Sequence, residues 1–481
     1  MSPLALAVAL TLGPAAAALS LGLPLARARA TQLLVVVGLL ASALAVVAAV
    51  SPSTAPLLGG YVRFDATARL FLAFVDPIFL GVSVYVWNRV ATTPALADGI
   101  PRFVGCALLF LGAANAVLIA NHLLVHWIAL EVTTLAAAPL IVRAGLPSTR
   151  LASFRYLLFS SVGLGLVLLG LVCLGRAFES AGHAPSFFLD DLAALAPSST
   201  SLWGRLGVAL AVLGLGTKLG LAPMYSWLPE AYDEAPPAVT ALLGAVQFNA
   251  ALVVLLRVVH ALRPAHPGLI GSELVTLGLV SMVVSTFSII ATRNMKRLLA
   301  YASINHAGVI AIGLGIGKAA SYGVLLYVIS NAFIKAILFL TAGKIKAHYR
   351  TKDTRQIAGL LKDLPYSGVF LMVGTFALLG FPPFGSFFGE LLILSALVGS
   401  GHIFVFAAFC VLITMTFVAT GRTIFPMIWG EPRQSRTWPR QTFLSAAPKL
   451  FFLVALVVLG VYIPRVVNDL IQQVAATLEV P

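Results

Sequence analysis

From residue 3 to residue 466 the chain is a succession of apolar runs separated by short polar breaks. A hydrocarbon layer about 30 Å thick is crossed by about 20 helical residues. Runs of that length fall near 3–24, 31–51, 70–90, 103–121, 123–142, 156–175, 206–232, 236–258, 269–291, 297–316, 319–342, 366–398, 402–427 and 447–466. Lipid leaves no solvent for backbone groups, so segments of this kind are helices. The reading is an all-α polytopic membrane protein of about fourteen transmembrane helices. The runs at 206–232 and 366–398 are overlong and interrupted by proline or glycine, and the fourth and fifth part only at Asn121 and His122.

The formal net charge of +14 reports topology, not an affinity for nucleic acid. With the N-terminus outside, the odd-numbered loops hold Arg27 and Arg29, Arg89 and Arg102, Arg143, Arg150 and Arg155, then Arg293, Lys296 and Arg297. The last two such loops add Lys344, Lys346, Arg350, Lys352, Arg355 and Lys362, then Arg422, Arg433, Arg436, Arg440 and Lys449. The even loops are poor in basic residues: Arg63 and Arg69 in one, Lys318 in another, none at "SGHI". Basic residues concentrate on the cytoplasmic side, so both termini are read as outside in a bacterial or archaeal cytoplasmic membrane. The start "MSPLALAVAL" has no basic n-region and is read as a retained helix. Cys106, Cys173 and Cys410 have no CxxC partner, the histidines form no HxH or HExxH, and GxGxxG is absent. Redox chemistry is therefore assigned to partner subunits.

Residues 223–230, "PMYSWLPE", align with residues 383–390, "PFGSFFGE": proline, serine, aromatic and glutamate recur at the same places, ending on Glu230 and Glu390. Pro223, and Pro382 with Pro383, each interrupt an overlong span. Proline lacks an N–H and frees a carbonyl one turn earlier, so the helix bends or unwinds there. Broken helices in corresponding halves mark an ion path in transporters built from repeats.

Four ionisable residues fall well inside spans: Glu131, Lys218, Lys335 and Glu390. Each costs about 2.5–3.5 kcal/mol or more at the bilayer centre, and the expected relief is an ion pair of Glu131 with Lys218. A carboxylate that moves or changes charge beside a desolvated lysine would switch that lysine between holding and releasing a proton. The competing reading is that such pairs only fix helix packing. His306 is either a relay or a packing histidine, His126 is assigned to a helix boundary, and Asp233 and Glu234 are read as caps of the next helix.

"GTKLGLAPMYSWLPEAYDEAPPAVTALL", "NMKRLLAYASINHAGVIAIGLG", "NAFIKAILFLTAGKI" and "GFPPFGSFFGELLIL" resemble the antiporter-like subunits shared by respiratory complex I, multisubunit cation/proton antiporters and energy-converting hydrogenases. "WIALEVTTL" and "SFRYLLFSSVGLGLVLLG" are most similar to component F of hydrogenase-4-type complexes. The resemblance implies two inverted five-helix repeats, each with a discontinuous helix. The corresponding division is three helices in 1–100, a first repeat in 101–260, a second in 261–430, and a last helix with a short tail in 431–481.

It further implies proton transfer by Glu131, Lys218, Lys335 and Glu390, with Asn249, Ser303, His306, Asn331 and Glu230 as auxiliary groups. Asn249 stands where many relatives have lysine, and Asn331 where a histidine often precedes the central lysine; water or a neighbour must bridge at Asn249. The implied function is a proton- or sodium-translocating membrane-arm subunit of a redox-driven complex, without cofactor in this chain. Its partners would be sister antiporter-like and small membrane subunits and a peripheral arm with iron–sulfur clusters and a nickel–iron or other redox centre. The rival classes are a proton-coupling subunit for a carbon dioxide-hydrating zinc protein, a subunit of a cation/proton antiporter, a solute transporter and a structural anchor with no ion path. Epitope tags at residue 355 and at the C-terminus should report opposite sides of the membrane, the first cytoplasmic; accessibility from one side only would overturn the helix count.

Overall fold

The computed structural model describes residues 2–93, 99–143, 145–196, 201–317, 320–431 and 443–478. Lys318, Arg433, Arg436 and Arg440, used in the charge count, lie outside the described residues. Six described helices of membrane length precede the first broken span: α1 (Pro3–Ser20), α2 (Ala30–Val50), α3 (Ala66–Thr92), α4 (Ile100–Ile119), α5 (Leu123–Ile141) and α6 (Pro147–Ser180). The broken span follows as α7 (Leu202–Leu219) and α8 (Trp227–Glu234). Next come α9 (Pro237–Leu262), α10 (Pro267–Ala291), α11 (Met295–Ile316) and α12 (Ala320–Tyr349). The second broken span is α13 (Pro365–Leu378) and α14 (Gly385–Gly399), followed by α15 (Ile403–Trp429), α16 (Phe443–Val461) and α17 (Arg465–Leu478).

Among the described residues thirteen helices are long and apolar enough to cross a membrane, and the shorter α13 and α14 together supply one more crossing. The expected fourteen are therefore present. The central helices α9 and α12 are wholly enclosed by the others, whereas α1 and α15 turn most of their surface outward. In lipid, helices associate by packing and hydrogen bonding, which favours small residues at the contact. At the α6–α7 seam a Cβ on Gly214 would lie 2.5 Å from the Gly163 carbonyl oxygen. Any side chain there would force the two helices apart.

Both breaks have one construction. The chain leaves α7 at Gly220 (φ 78°) and α13 at Gly380 (φ 68°), left-handed values that glycine adopts without a Cβ clash. Leu221 N–H donates to Gly216 O at 2.8 Å, and Phe381 N–H to Phe376 O at 3.0 Å, the six-to-one bond of a Schellman cap in each case. Three residues beyond each glycine stands a proline after a cis bond, Ala222–Pro223 and Pro382–Pro383.

The two spans run in opposite senses. The end of α8 is tied by Lys352 to the segment that follows α12, and α13 starts within that same connection. The first broken span thus arrives at the face from which the second departs, as an inverted repeat requires.

Two expectations change. Asp233 and Glu234 do not cap α9, which starts at Pro237 behind Pro236 with no side-chain cap; they close α8 and are held by cations. The tail after the last span is a further helix, α17, with Leu470, Ile471, Val474, Ala475 and Leu478 buried. Its Asn468 accepts from Tyr322 Oη at 2.7 Å, so it lies across the N-terminal end of α12. Its apolar face is too short and too one-sided to read as a span, which is why a hydropathy window passes over it.

Gly220→Ala and Gly380→Ala should each lower thermal stability by about 1–2 kcal/mol, the cost of a left-handed residue with a Cβ. The added Cβ would lie 2.4 Å from Leu228 Cδ1 and 2.9 Å from Glu390 Oε2, respectively. Gly165→Ala, where a Cβ meets nothing within 4 Å, should leave the melting temperature unchanged in the same assay.

Candidate functional site

Lys218 occupies the last turn of α7 and is 3% exposed. The last carbonyls of a helix carry its negative end, and a cation there is stabilised. The break just beyond Lys218 creates such an end inside the protein. Trp227, from α8, holds it open by donating Nε1–H to Thr217 O at 3.0 Å. The ammonium donates to Thr134 Oγ1 and lies 5.5 Å from the centre of the Tyr156 ring.

Glu131 does not form the expected direct ion pair with Lys218. Its Oε1 accepts from Ser161 Oγ at 2.8 Å, and its Oε2 is buried without a partner. Thr134, one turn further along α5, intervenes. Glu131 therefore acts on Lys218 through space, while the hydroxyl makes the contact.

A second arm leaves the same cluster. Tyr156 Oη donates to Gln247 Oε1 at 2.8 Å, and Gln247 Nε2 reaches Thr133 Oγ1 at 3.4 Å. Gln247 ends a π-turn, Leu243–Gln247, set within α9. Such a turn inserts one residue into the helical ladder and shifts the direction of the side chains that follow, a recurrent feature of functional sites. This turn serves both halves of the protein. Gln247 reaches toward Lys218, while the Phe248 ring centre lies 3.8 Å from Lys335 Nζ.

Lys335, at the middle of α12 and 3% exposed, has no hydrogen-bond partner for its ammonium. Asn331 Oδ1, one turn before it, and Asn249 Oδ1 are buried acceptors without donors. Asn249 gives its Nδ2 hydrogen to Ala245 O at 2.6 Å, and Ser303 gives its hydroxyl to Leu299 O at 2.9 Å, so each bonds back to its own helix.

Beyond Lys335, His306 Nδ1 and Tyr327 Oη are 2.6 Å apart with their rings stacked at 5.3 Å. His306 also bonds the backbone of Leu378, the last residue of α13. A cavity of about 10 Å³ lies beside His306, Asn305, Leu378 and Thr416, the room that one water requires. Glu390 folds back onto the second break, against Gly380.

Glu230, its counterpart in the repeat, is instead taken by Arg155 in a half-exposed ion pair. The repeat is thus shared by the backbone and not by the chemistry of its two glutamates. Pro223, Pro382 and Pro383 stand where the sequence placed them, in the breaks.

Several groups that sequence reasoning passed over are built in. Lys296, 1% exposed, donates to Asp233 O at 2.9 Å and Ala235 O at 2.8 Å, closing the end of α8. Asp233 also meets Lys352 at 2.7 Å and Arg297 at 3.2 Å. His126 stands in the first turn of α5, at the helix boundary, 3.2 Å from Arg257, which also binds Asp65 at 3.0 Å and Leu118 O at 2.9 Å. The signal for Gln247, Thr134 and Tyr156 was their polarity within apolar runs, which hydropathy averages away. The three cysteines are free and separate. Among the described residues no group of three or more His, Cys, Asp or Glu could hold a metal ion.

Residues 120–416 match the family described as NADH:quinone oxidoreductase/Mrp antiporter, TM. The chain is 30% identical over 382 residues to the hydrogenase-4 component F homolog of Methylacidiphilum infernorum, covering 78% of each chain. Its fold is similar to a chain of an archaeal respiratory complex, the membrane-bound sulfane sulfur reductase. There the TM-score is 0.87 at 21% identity, over 98% of this chain and 97% of that one. It is also similar to a chain of respiratory complex I from Thermus thermophilus with bound NADH, at a TM-score of 0.81 and 25% identity, over 98% and 99% of the two chains. The residues matched contain both broken spans and the whole line from Glu131 to Glu390, and the chain belongs to the NADH:quinone oxidoreductase/Mrp antiporter family of transmembrane subunits.

Proposed function

We propose that this chain is the proton-translocating membrane-arm subunit of a redox-driven multisubunit complex, of the energy-converting hydrogenase or complex I type. The observation that carries this reading is the file of buried polar groups from Glu131 and Lys218, through Tyr156 and Gln247, toward Lys335, where the last contact is the Phe248 ring and not a hydrogen bond. Lysines at both centres favour the proton as the ion. An ammonium cannot ligate sodium and repels it, whereas its own charge is the transferred proton.

Lys218 holds a proton through Thr134 and the carbonyl end of α7, with Glu131 adding charge from a distance. Lys335 has only the face of Phe248, a contact worth about 0.5–2 kcal/mol. A change of charge at Glu131 then shifts the balance and sends the proton toward Lys335. The donor-less oxygens of Asn331 and Asn249 and the acceptor-less Lys335 ammonium suit water as the carrier between them. Exit follows His306, Tyr327 and Glu390 at the second break.

The division into three leading helices, two repeats and a closing helix belongs to this reading. So do the outward termini, the cytoplasmic membrane, the sister subunits, and the peripheral arm that carries iron–sulfur and other redox centres.

Lys218→Ala should abolish proton uptake per electron in membrane vesicles while the complex still assembles, because the lost group is a carrier and not a helix former. Glu131→Gln should impair the same step, and the double variant should be no worse than the more severe single one. Unchanged pumping in Lys218→Ala would sink the proposal. Gln247→Leu should slow transport at least about tenfold, since Tyr156 and Thr133 lose a buried partner worth about 1–3 kcal/mol. Asn249→Leu should do the same, and Asn249→Lys should retain transport; full activity in both leucine variants would route the proton elsewhere.

A further inference from the structure

A cavity of about 500 Å³ opens where the ends of α3, α4, α5 and α6 meet the α8–α9 turn. Four arginines line it: Arg89 from α3, Arg102 from α4, Arg143 just beyond α5 and Arg150 from α6. Among the described residues no aspartate or glutamate lines it, and none of the four makes an ion pair with another described residue. Arg143 spends one hydrogen bond, 2.9 Å to the Glu234 carbonyl, and its Nε–H is buried without an acceptor. Tyr85, 5% exposed, sets its hydroxyl in the cavity wall beside the Arg89 guanidinium, which is a donor, so the hydroxyl has no acceptor for its own proton. The first turn of α4 adds N–H groups with no side-chain cap, because its N-cap is Gly99.

The described side chains of the lining are thus rich in donors and bring no carboxylate, and two of the donors, Arg143 Nε and Tyr85 Oη, are buried where such groups ordinarily find partners. The rest of the wall is apolar, from Val86, Ile100, Phe103 and Leu140. The larger cavity between α10 and α15 differs. It is lined by Arg293, Arg355 and Arg422, but it includes Glu431, and Arg355 already meets Asp353 at 3.7 Å.

We propose that the four-arginine cavity binds the headgroup of an anionic phospholipid of the inner leaflet. A phosphodiester brings two unprotonated acceptor oxygens and one negative charge to guanidinium forks shaped for them, and its acyl chains suit the apolar wall. Basic pockets between helices on the cytoplasmic side are where such headgroups are held, and these arginines lie on the face that the basic-residue count assigns to the inside. The site has a mechanical consequence. Arg143 binds both the cavity and the last carbonyl of α8, and Pro236 and Pro237 form the wall. A bound phosphate therefore braces the turn that anchors the first broken span.

The test uses the assembled complex purified in mild detergent, with tightly bound lipid identified and counted by native mass spectrometry. Wild type should retain an anionic phospholipid that Arg102→Gln/Arg150→Gln loses, by one molecule per chain; both residues are exposed, so the fold is not at risk. Arg293→Gln/Arg422→Gln, with the same charge change at the other cavity, should retain it. Equal retention in the pocket variant would overturn the site, as would equal loss in the control or retention of zwitterionic lipid alone. Displacement of the lipid by inorganic phosphate would assign the cavity to a soluble anion and overturn the lipid assignment. The readout is lipid retained, not protons moved, so its outcome is separate from that of the pumping experiments.

Discussion

Everything in this fold follows from placing a lysine at the severed end of a helix inside a bilayer. A complete helix satisfies its own backbone and offers nothing to a buried ammonium. A helix stopped at Gly220 presents carbonyls that have lost their N–H partners. Lys218, two residues before that end, takes the benefit of the negative terminus, and Trp227 keeps the end from recoiling by binding Thr217. The break needs a left-handed residue, a residue without an N–H, and a protein surround that excludes lipid. The chain supplies all three twice, at Gly220 with Pro223 and at Gly380 with Pro383.

Given two such breaks, the protein must connect them across its centre, and α9 does so by a local fault in its own ladder. The π-turn Leu243–Gln247 puts a glutamine toward one lysine and an aromatic face under the other. Gln247 has both an acceptor and donors, so it can pass a hydrogen bond along without changing charge. Toward its C-terminus the same helix carries Arg257, locked to Asp65, His126 and backbone carbonyls. One helix thus carries an adaptable N-terminal segment and a fixed C-terminal one.

The spans, the breaks and the four intramembrane charges were legible because each leaves a mark in the sequence itself: length, proline with glycine, and charge among apolar residues. The partners of those charges were not. Thr134, Tyr156 and Gln247 come from three different helices and meet only through packing, and nothing in local sequence states that a threonine will stand between Glu131 and Lys218. Asp233 and Glu234 were misread for a related reason. Carboxylates before a proline pair fit a cap by position, but Lys296, Arg297 and Lys352 stand 63, 64 and 119 residues beyond Asp233 in the chain and meet it only through the fold. The α17 helix escaped because its apolar residues form a stripe and not a run.

That belt of charges limits how the protein can move. Asp233 is 3% exposed and meets Lys352 and Arg297, while Lys296 and Arg143 hold the carbonyls around it. Removing one member of such a buried set leaves uncompensated charge, a cost of about 3–5 kcal/mol. The end of α8 is therefore the costly part of the broken span to displace. The α7 end is closed by one cap and one indole hydrogen bond, each worth about 0.5–1.5 kcal/mol. A change of charge at Glu131 or Lys218 is met where resistance is least, by the Lys218 side chain, its hydroxyl partner and the open helix end. The break thus lets a charge move a few ångströms without moving the helix that carries it.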